Sequence, residues 1–188
     1  MSIESPKYKV LRDDGNIELR KYAPYITASV EITSDSHGTA ASAGFRYLAD
    51  YIFGNNTLTT KIAMTTPVIS KESATSETIA MTAPVSTLKS GDKTYNISFT
   101  MPSKYTLESL PKPNNREVVI ATTPAHKSLV IRFSGNTSED KIEKMTEKLK
   151  SWAKLNKIKL TGEATVSRYN PPWTPGLFRR NEISYLTK

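Results

Sequence analysis

Few side chains in this sequence are arranged for catalysis or metal binding. The chain has 188 residues, no cysteine and two histidines, His37 and His126. The lack of cysteine excludes disulfides, thiolate metal sites and cysteine nucleophiles, and neither histidine lies in a metal-binding spacing such as H-E-x-x-H. We expect both to be solvated loop residues. No G-x-S-x-G nucleophile elbow or glycine-rich phosphate loop is present.

Aromatic side chains are the better candidates for ligand contact. Leu48 and Ile52 fit the core face of a first helix, which leaves Tyr47 and Tyr51 for its flank. Trp173 lies in a proline-rich loop near the end of the chain. Such residues form a platform for a flat hydrophobic ligand. The alternative for Trp173 is that it packs back onto the fold.

Three cationic side chains could hold carboxylates on such a ligand: Lys21, Arg179 and Arg180. The alternative is that they form surface or structural ion pairs, for example with Glu182.

The spacing of apolar residues predicts the elements that position these side chains. Alternation predicts strands, and apolar residues three and four apart predict helices. A hairpin is expected over residues 8–22, with its turn at Asp13-Asp14-Gly15-Asn16. Further strands are predicted at 25–32, 94–101, 117–122, 128–133, 163–169 and 182–186, and helices at 39–53 and 136–159, the second capped by Thr137 or Ser138.

One phrase occurs twice in the middle of the chain. Residues 62–68 and 79–85 both fit the pattern I-A-M-T-x-P-V, 17 residues apart. Because the phrase alternates with the period of a strand, we predict a β-hairpin with arms at residues 61–70 and 78–87. The alternative is two ordinary core strands of similar composition.

A larger repetition divides the chain into two halves. Pro24 and Pro124 interrupt pairs of strands 100 residues apart, and a helix follows each pair. This predicts one domain over residues 1–188, built from two pseudo-symmetric βαββ-type halves at about 8–101 and 117–187. A cleft between the halves, beside the helices, is the natural ligand site.

The charge and the chain start favour an ordinary cytoplasmic protein. The formal net charge is +8, but the lysines are scattered and alternate with glutamates, which is typical of a solvated helix face and not of a nucleic-acid site. The first residues lack a secretory signal, and no apolar run approaches the roughly 20 residues of a membrane span.

Several segments together resemble one known family. They are the doubled phrase, the run Ile17-Glu18-Leu19-Arg20-Lys21-Tyr22, and the closing Tyr169-Asn170-Pro171-Pro172-Trp173 with Arg179-Arg180-Asn181-Glu182. This combination resembles the SOUL haem-binding protein family from about Tyr8 to Leu186. The resemblance implies an α+β fold, a distorted antiparallel β-barrel flanked by two α-helices. It is also similar to the effector-binding domains of bacterial multidrug-responsive regulators.

The resemblance implies non-enzymatic carriage or buffering of haem or a related tetrapyrrole. The cofactor would lie in a shallow hydrophobic groove beside the first helix and the late proline-rich loop, and would not be needed for folding. Where some members have a histidine, this chain has Lys21. Positions that are basic in other members correspond here to Ser42, Asp50 and Thr174. The predicted site residues are Lys21, Ser42, Phe45, Tyr47, Asp50, Tyr51, Trp173, Thr174 and Arg179.

Two other classes of function stay open at this point. A binding module for another amphipathic small molecule, or for a protein partner, would explain the missing histidine and the missing basic positions. An enzyme that degrades haem or hydrolyses another substrate would need catalytic residues that the sequence does not display. The sequence leaves the oligomeric state open.

Overall fold

One curled antiparallel sheet dominates the fold. The structure is a computed structural model that describes residues 3–58, 76–171 and 173–188. Within these ranges nine strands form the sheet in the order β1-β2-β9-β11-β10-β5-β6-β3-β8, and two short strands, β4 and β7, pair separately. The bounds are β1 Tyr8–Asp14, β2 Ile17–Tyr22, β3 Tyr25–Thr33, β4 Asn56–Thr57, β5 Val85–Lys89, β6 Thr94–Thr100, β7 Lys112–Pro113, β8 Val119–Thr123, β9 His126–Phe133, β10 Leu160–Arg168 and β11 Asn181–Thr187.

The predicted fold class is confirmed. The two helices are α1, His37–Ile52, and α2, Glu139–Leu155. The hairpin over residues 8–22 forms as expected, and Gly15 supplies the left-handed φ of +66° at its two-residue turn. Pro24 and Pro124 each fall between two consecutive strands, as predicted.

Equivalent strands of the two halves lie on either side of the central β5–β10 pair. Read outward, one side is β5-β6-β3-β8 and the other is β10-β11-β9-β2, with β1 added at the edge beyond β2. The strand before each proline crosses to the other side, because β2 pairs with β9 and β8 pairs with β3. This arrangement agrees with two βαββ-type halves joined in one sheet. The exact limits of the halves stay a prediction.

Both helices pack on the same face of the sheet, and each covers its own half of that face. The α1 core contains residues such as Leu48, Ile97 and Phe99, whereas the α2 core contains residues such as Leu149 and Ile183. Apolar residues of the strands therefore face the helices, and the alternate residues face the opposite, concave side. None of the helices in the described parts of the chain is long and apolar enough to span a membrane.

The prediction for the repeated phrase is only partly testable. Residues 61–70 lie outside the described residues. The second copy is not a strand before Val85, so the predicted second arm is wrong for residues 78–84. The reason is that its backbone bonds elsewhere: the Ile79 N–H donates to the Ile52 carbonyl (2.7 Å) and the Ala83 N–H to the Glu4 carbonyl (2.9 Å).

Candidate functional site

The starts of the two helices meet on the helix side of the sheet. The His37 backbone N–H donates to Glu139 Oε1 over 2.9 Å, so a carboxylate from α2 caps α1. Ser138, one of the two predicted cap residues, is the N-cap residue of α2, but its side chain makes no capping hydrogen bond. The Thr137 hydroxyl accepts from Arg168 Nε over 2.9 Å.

Arg168 lies at the centre of this junction. Besides Thr137, its guanidinium contacts Thr87 Oγ1 at 3.3 Å and His37 Nδ1 at 3.4 Å, all of them neutral acceptors. Among the described residues no carboxylate forms an ion pair with it. Burial lowers the pKa of Arg168, and the negative charge of Glu139 only partly offsets this. Arg168 is thus a half-buried cation whose hydrogen-bond partners, Thr137, Thr87 and His37, are all neutral.

His37 is not a solvated loop residue, and that prediction is wrong. It begins α1 and is buried, and its ring packs edge-on against Tyr95. Burial and the neighbouring charge of Arg168 lower its pKa to about 4. A sequence pattern could not show this, because the neighbours that bury His37 come from distant elements.

The late loop attaches to the same junction. The Gly135 N–H donates to the Gly176 carbonyl (2.9 Å), and Arg179 donates to Asn136 Oδ1 (2.9 Å) and to the Thr174 carbonyl (2.7 Å). Since Asn136 precedes Thr137, these contacts connect the loop through Arg168 to the first turn of α1. The structure therefore connects the late loop to the N-terminal end of α1. The predicted groove itself stays a prediction.

The late loop exposes large apolar side chains. Trp173, Leu177 and Phe178 have exposed fractions of 81%, 86% and 76%. On α1, Ser42, Tyr47 and Asp50 are exposed, and Asp50 accepts a hydrogen bond from Asn55 over 2.5 Å. Tyr47 lies ten residues, or ~15 Å, along the helix from His37. Trp173 does not pack back onto the fold, so this alternative is wrong.

Three predicted site residues lie elsewhere. Tyr51 is 1% exposed and donates to the Pro111 carbonyl, so its predicted place on the helix flank is wrong. Phe45 is half-buried against Phe99. Lys21 is exposed opposite Lys127, whereas the late loop ends opposite Phe133, six residues or ~20 Å along β9.

The concave side of the sheet holds a separate cavity of about 410 Å³. Its lining is rich in hydroxyl groups. The serine and threonine residues that line it are Thr27, Ser29, Ser86, Ser98, Thr100, Thr123, Ser128, Thr161, Thr165, Ser167 and Ser184. Alternating hydroxyl residues in several strands were a visible signal for this surface that the sequence analysis did not use.

A buried charge network closes one end of that cavity. Arg20 donates to Glu18 (2.6 Å) and makes two bonds to Glu182 (2.8 and 3.0 Å). Arg180 and Tyr169 donate to the same Glu182 carboxylate. Burial opposes ionisation of Glu182, but the hydrogen bonds from Arg20 and Tyr169 hold its pKa below the usual value. The structural ion pair considered for Arg180 is therefore present.

His126 lies at the aromatic rim of the cavity. Its ring stacks on Tyr22 with centroids 5.0 Å apart, and Tyr25 stands beside both. His126 Nδ1 lies 2.9 Å from the Pro124 carbonyl, which can only accept, so Nδ1 carries the hydrogen. His126 is half-buried and not a solvated loop residue. Across the described ranges no group of three or more metal-binding side chains occurs.

Comparison with known sequences gives two matches. The family model described as SOUL heme-binding protein matches residues 3–186. The human protein named Heme-binding protein 2 is 30% identical over 144 residues, which cover 74% of this chain and 64% of that protein. The match thus spans less than two thirds of the relative's length.

Comparison with solved structures shows the same fold at low sequence identity. The EcmrR C-terminal domain has a TM-score of 0.65 and 12% identity, covering 96% of this chain and 98% of that chain. A structure described as a hydrolase from Listeria innocua has a TM-score of 0.58 and 10% identity, covering 95% and 94%. At such identities the likeness concerns the fold alone.

Proposed function

Because the chain belongs to the SOUL heme-binding protein family, we propose that it binds haem or a related tetrapyrrole without transforming it. Such binding serves carriage or buffering of the ligand. The binding place is the shallow groove between α1 and the late loop, on the helix side of the sheet. The human relative's name points to the same class of ligand.

The exposed apolar side chains of the late loop carry this proposal. Trp173, Leu177 and Phe178 lie within six residues of one another and are all more than three-quarters exposed. A cluster of this kind costs solubility unless it has a binding role. A porphyrin is flat and largely apolar, so it can cover these side chains while Tyr47 contacts it from α1.

Arg168 fits the carboxylates of the ligand. A haem or porphyrin carries two of them, and the positions that are basic in other family members are Ser42, Asp50 and Thr174 here. Arg168 has neutral partners only and lies between α1 and the turn that holds the loop. A guanidinium in this setting gains a charge-assisted hydrogen bond when a carboxylate arrives.

The described side chains near the groove suit contact with the porphyrin ring better than ligation of the iron. His37 is buried, His126 lies on the concave side, and Lys21 is ~20 Å from the end of β9 where the loop attaches. Bound haem would supply an iron centre for exogenous ligands, while the chain's own residues orient the ring and its carboxylates. We therefore place the affinity in ring contact, and expect iron-free protoporphyrin IX to bind about as tightly as haem.

Titration with haemin and with protoporphyrin IX tests the proposal through the Soret band. We expect saturable binding at micromolar concentrations, weakened at least tenfold by the double change Leu177→Ala and Phe178→Ala. Leu155→Ala is the matched control, since Leu155 is 82% exposed at the end of α2. Extraction of unchanged haem after incubation checks that the ligand is not transformed. A flat titration with both porphyrins refutes the proposal.

A protein partner is the second candidate function. Three large apolar side chains on one surface loop also form the kind of patch that binds another protein. In that case neither porphyrin binds, and the double change Leu177→Ala and Phe178→Ala leaves the Soret-band titrations unaltered.

A further inference from the structure

A row of four serines crosses the centre of the concave face. Ser29, Ser98, Ser86 and Ser167 lie directly opposite one another on β3, β6, β5 and β10. Four adjacent strands span ~14 Å, because neighbouring strands are about 4.8 Å apart. Every one of these serines lines the 410 Å³ cavity. The row is therefore a continuous strip of hydroxyl groups along the cavity floor.

The same four strands carry a very different row on their helix side. One residue along, Val30, Ile97, Thr87 and Val166 lie opposite one another and are almost fully buried under the helices. Valine and isoleucine are the residues that strands favour, and serine is not among them. Strand propensity therefore does not explain the serines in this row. Their small size leaves the space that forms the cavity.

The chemistry of the floor is uncharged. Each serine hydroxyl can donate one hydrogen bond and accept two. Ser86 and Ser167 share one bond of 3.0 Å, which leaves capacity on both. Ser29 donates to the Val119 carbonyl over 3.5 Å and keeps its capacity to accept. Beyond Ser167 the next residue in the row is Glu182, but Arg20, Arg180 and Tyr169 already occupy its carboxylate. The serine row thus carries no free charge, and the charged side chain left in the rest of the lining is the exposed carboxylate of Glu163.

We infer that the concave cavity is a second binding site, which takes an uncharged, polyhydroxylated molecule of the sugar class. The hydroxyl strip matches a ligand that alternates donors and acceptors, and Tyr25 at the rim gives an aromatic face for a sugar ring. The cavity volume falls in the range of about 300–1,000 Å³ that is typical of small-molecule sites. This site is on the opposite side of the sheet from the porphyrin groove and is independent of it.

Titration of the ¹⁵N-labelled chain with glucose and trehalose tests the inference by NMR. We expect saturable shifts at millimolar concentration in the amides around Ser29, Ser98, Ser86 and Ser167. Glucosamine and glucuronate are the charged probes, and both should bind more weakly than glucose. No shifts in the serine row with either neutral sugar would overturn the inference, and so would stronger binding of a charged probe. For glucosamine the attractant would then be the Glu163 carboxylate, which also lines the cavity.

Variants place the binding on the hydroxyl strip. Ser29→Ala with Ser98→Ala should weaken the neutral sugars about tenfold, since two hydrogen bonds are lost. Ser98→Val removes a hydroxyl with a residue that favours strands, so it keeps the fold while it also narrows the cavity. Ser151→Ala on α2 is the control and should bind as the unchanged chain does. Equal affinity in all variants would contradict a site on the serine row, whatever the porphyrin titrations show.

Discussion

At the scale of single residues, His37 links stability to pH. Its pKa is about 4 in the folded chain and ~6.5 when unfolded. The unfolded state therefore binds more protons between these values, and the free energy of unfolding falls as the pH drops from about 6.5 to 4. His37→Gln removes this effect. We expect the unchanged chain to lose up to about 3 kcal/mol more than the variant between pH 7 and pH 4, measured by urea unfolding. Equal losses would show that His37 is not buried in solution.

Arg168 is the residue whose replacement separates carboxylate binding from ring binding. Arg168→Gln should weaken the binding of protoporphyrin IX roughly tenfold or more, because a charge-assisted hydrogen bond contributes about 1.5–3 kcal/mol to the binding free energy. The dimethyl ester of the same porphyrin lacks the carboxylates and should bind both chains equally.

The ester is also the folding control in that experiment. Arg12→Gln removes an arginine that contacts Asn156 and the Trp152 ring and has no place in the groove, so it should change neither affinity. If Arg168→Gln weakens the acid and the ester alike, Arg168 supports the junction but does not contact the ligand.

At the scale of elements, the close approach of α1 to β6 depends on one glycine. A Cβ atom on Gly44 would lie 2.6 Å from both Cβ and Cγ1 of Ile97. Gly44→Ala should therefore destabilise the chain by about 1–3 kcal/mol, as overpacking does. Gly38→Ala is the matched control in the same helix, since its Cβ would meet nothing within 4 Å.

The two glycine variants should shift the thermal midpoint in opposite directions. Gly38→Ala gains helix propensity of up to about 1 kcal/mol, and Gly44→Ala loses packing. Gly44→Ala should cost less stability in an Ile97→Ala background, because alanine lacks the Cγ1 and Cγ2 atoms that would lie 2.6 and 3.0 Å from the added Cβ. A Gly44→Ala variant as stable as the unchanged chain would mean that α1 lies farther from the sheet.

At the scale of the whole molecule, one sheet joins two separate cores. The α1 core and the α2 core share no residue, but β5 and β10 pair across the centre. Continuous pairing should make the chain unfold as one unit. Leu48→Ala in the α1 core should lower the free energy of unfolding by about 2–5 kcal/mol. A probe in the α2 core should show the same decrease.

Trp152 makes this measurable, because it packs against the α2 core. In a Trp173→Phe background it is the remaining tryptophan. The shift in midpoint seen by its fluorescence should equal the shift seen by circular dichroism. A Trp152 transition that Leu48→Ala leaves unchanged would show that the halves unfold independently.

The sequence by itself determined the fold class, the family and most of the elements. Alternation, helical spacing and the two prolines are local signals, and they predicted the hairpin over residues 8–22 and both helices within a few residues at their starts. The strand predicted around Ile79 was wrong. The segment alternates with the period of a strand, but its backbone N–H groups donate to the carbonyls of Ile52 and Glu4 instead of to a neighbouring strand.

Only the tertiary structure decided which side chains meet. Tyr47 and Tyr51 are one helical turn apart, yet Tyr47 is exposed and Tyr51 is buried, with its hydroxyl donating to the Pro111 carbonyl. Arg168 reaches His37 from 131 residues away, and the serine row depends on the register of four strands. Burial and register arise from pairing between distant segments, and local sequence patterns do not contain that information.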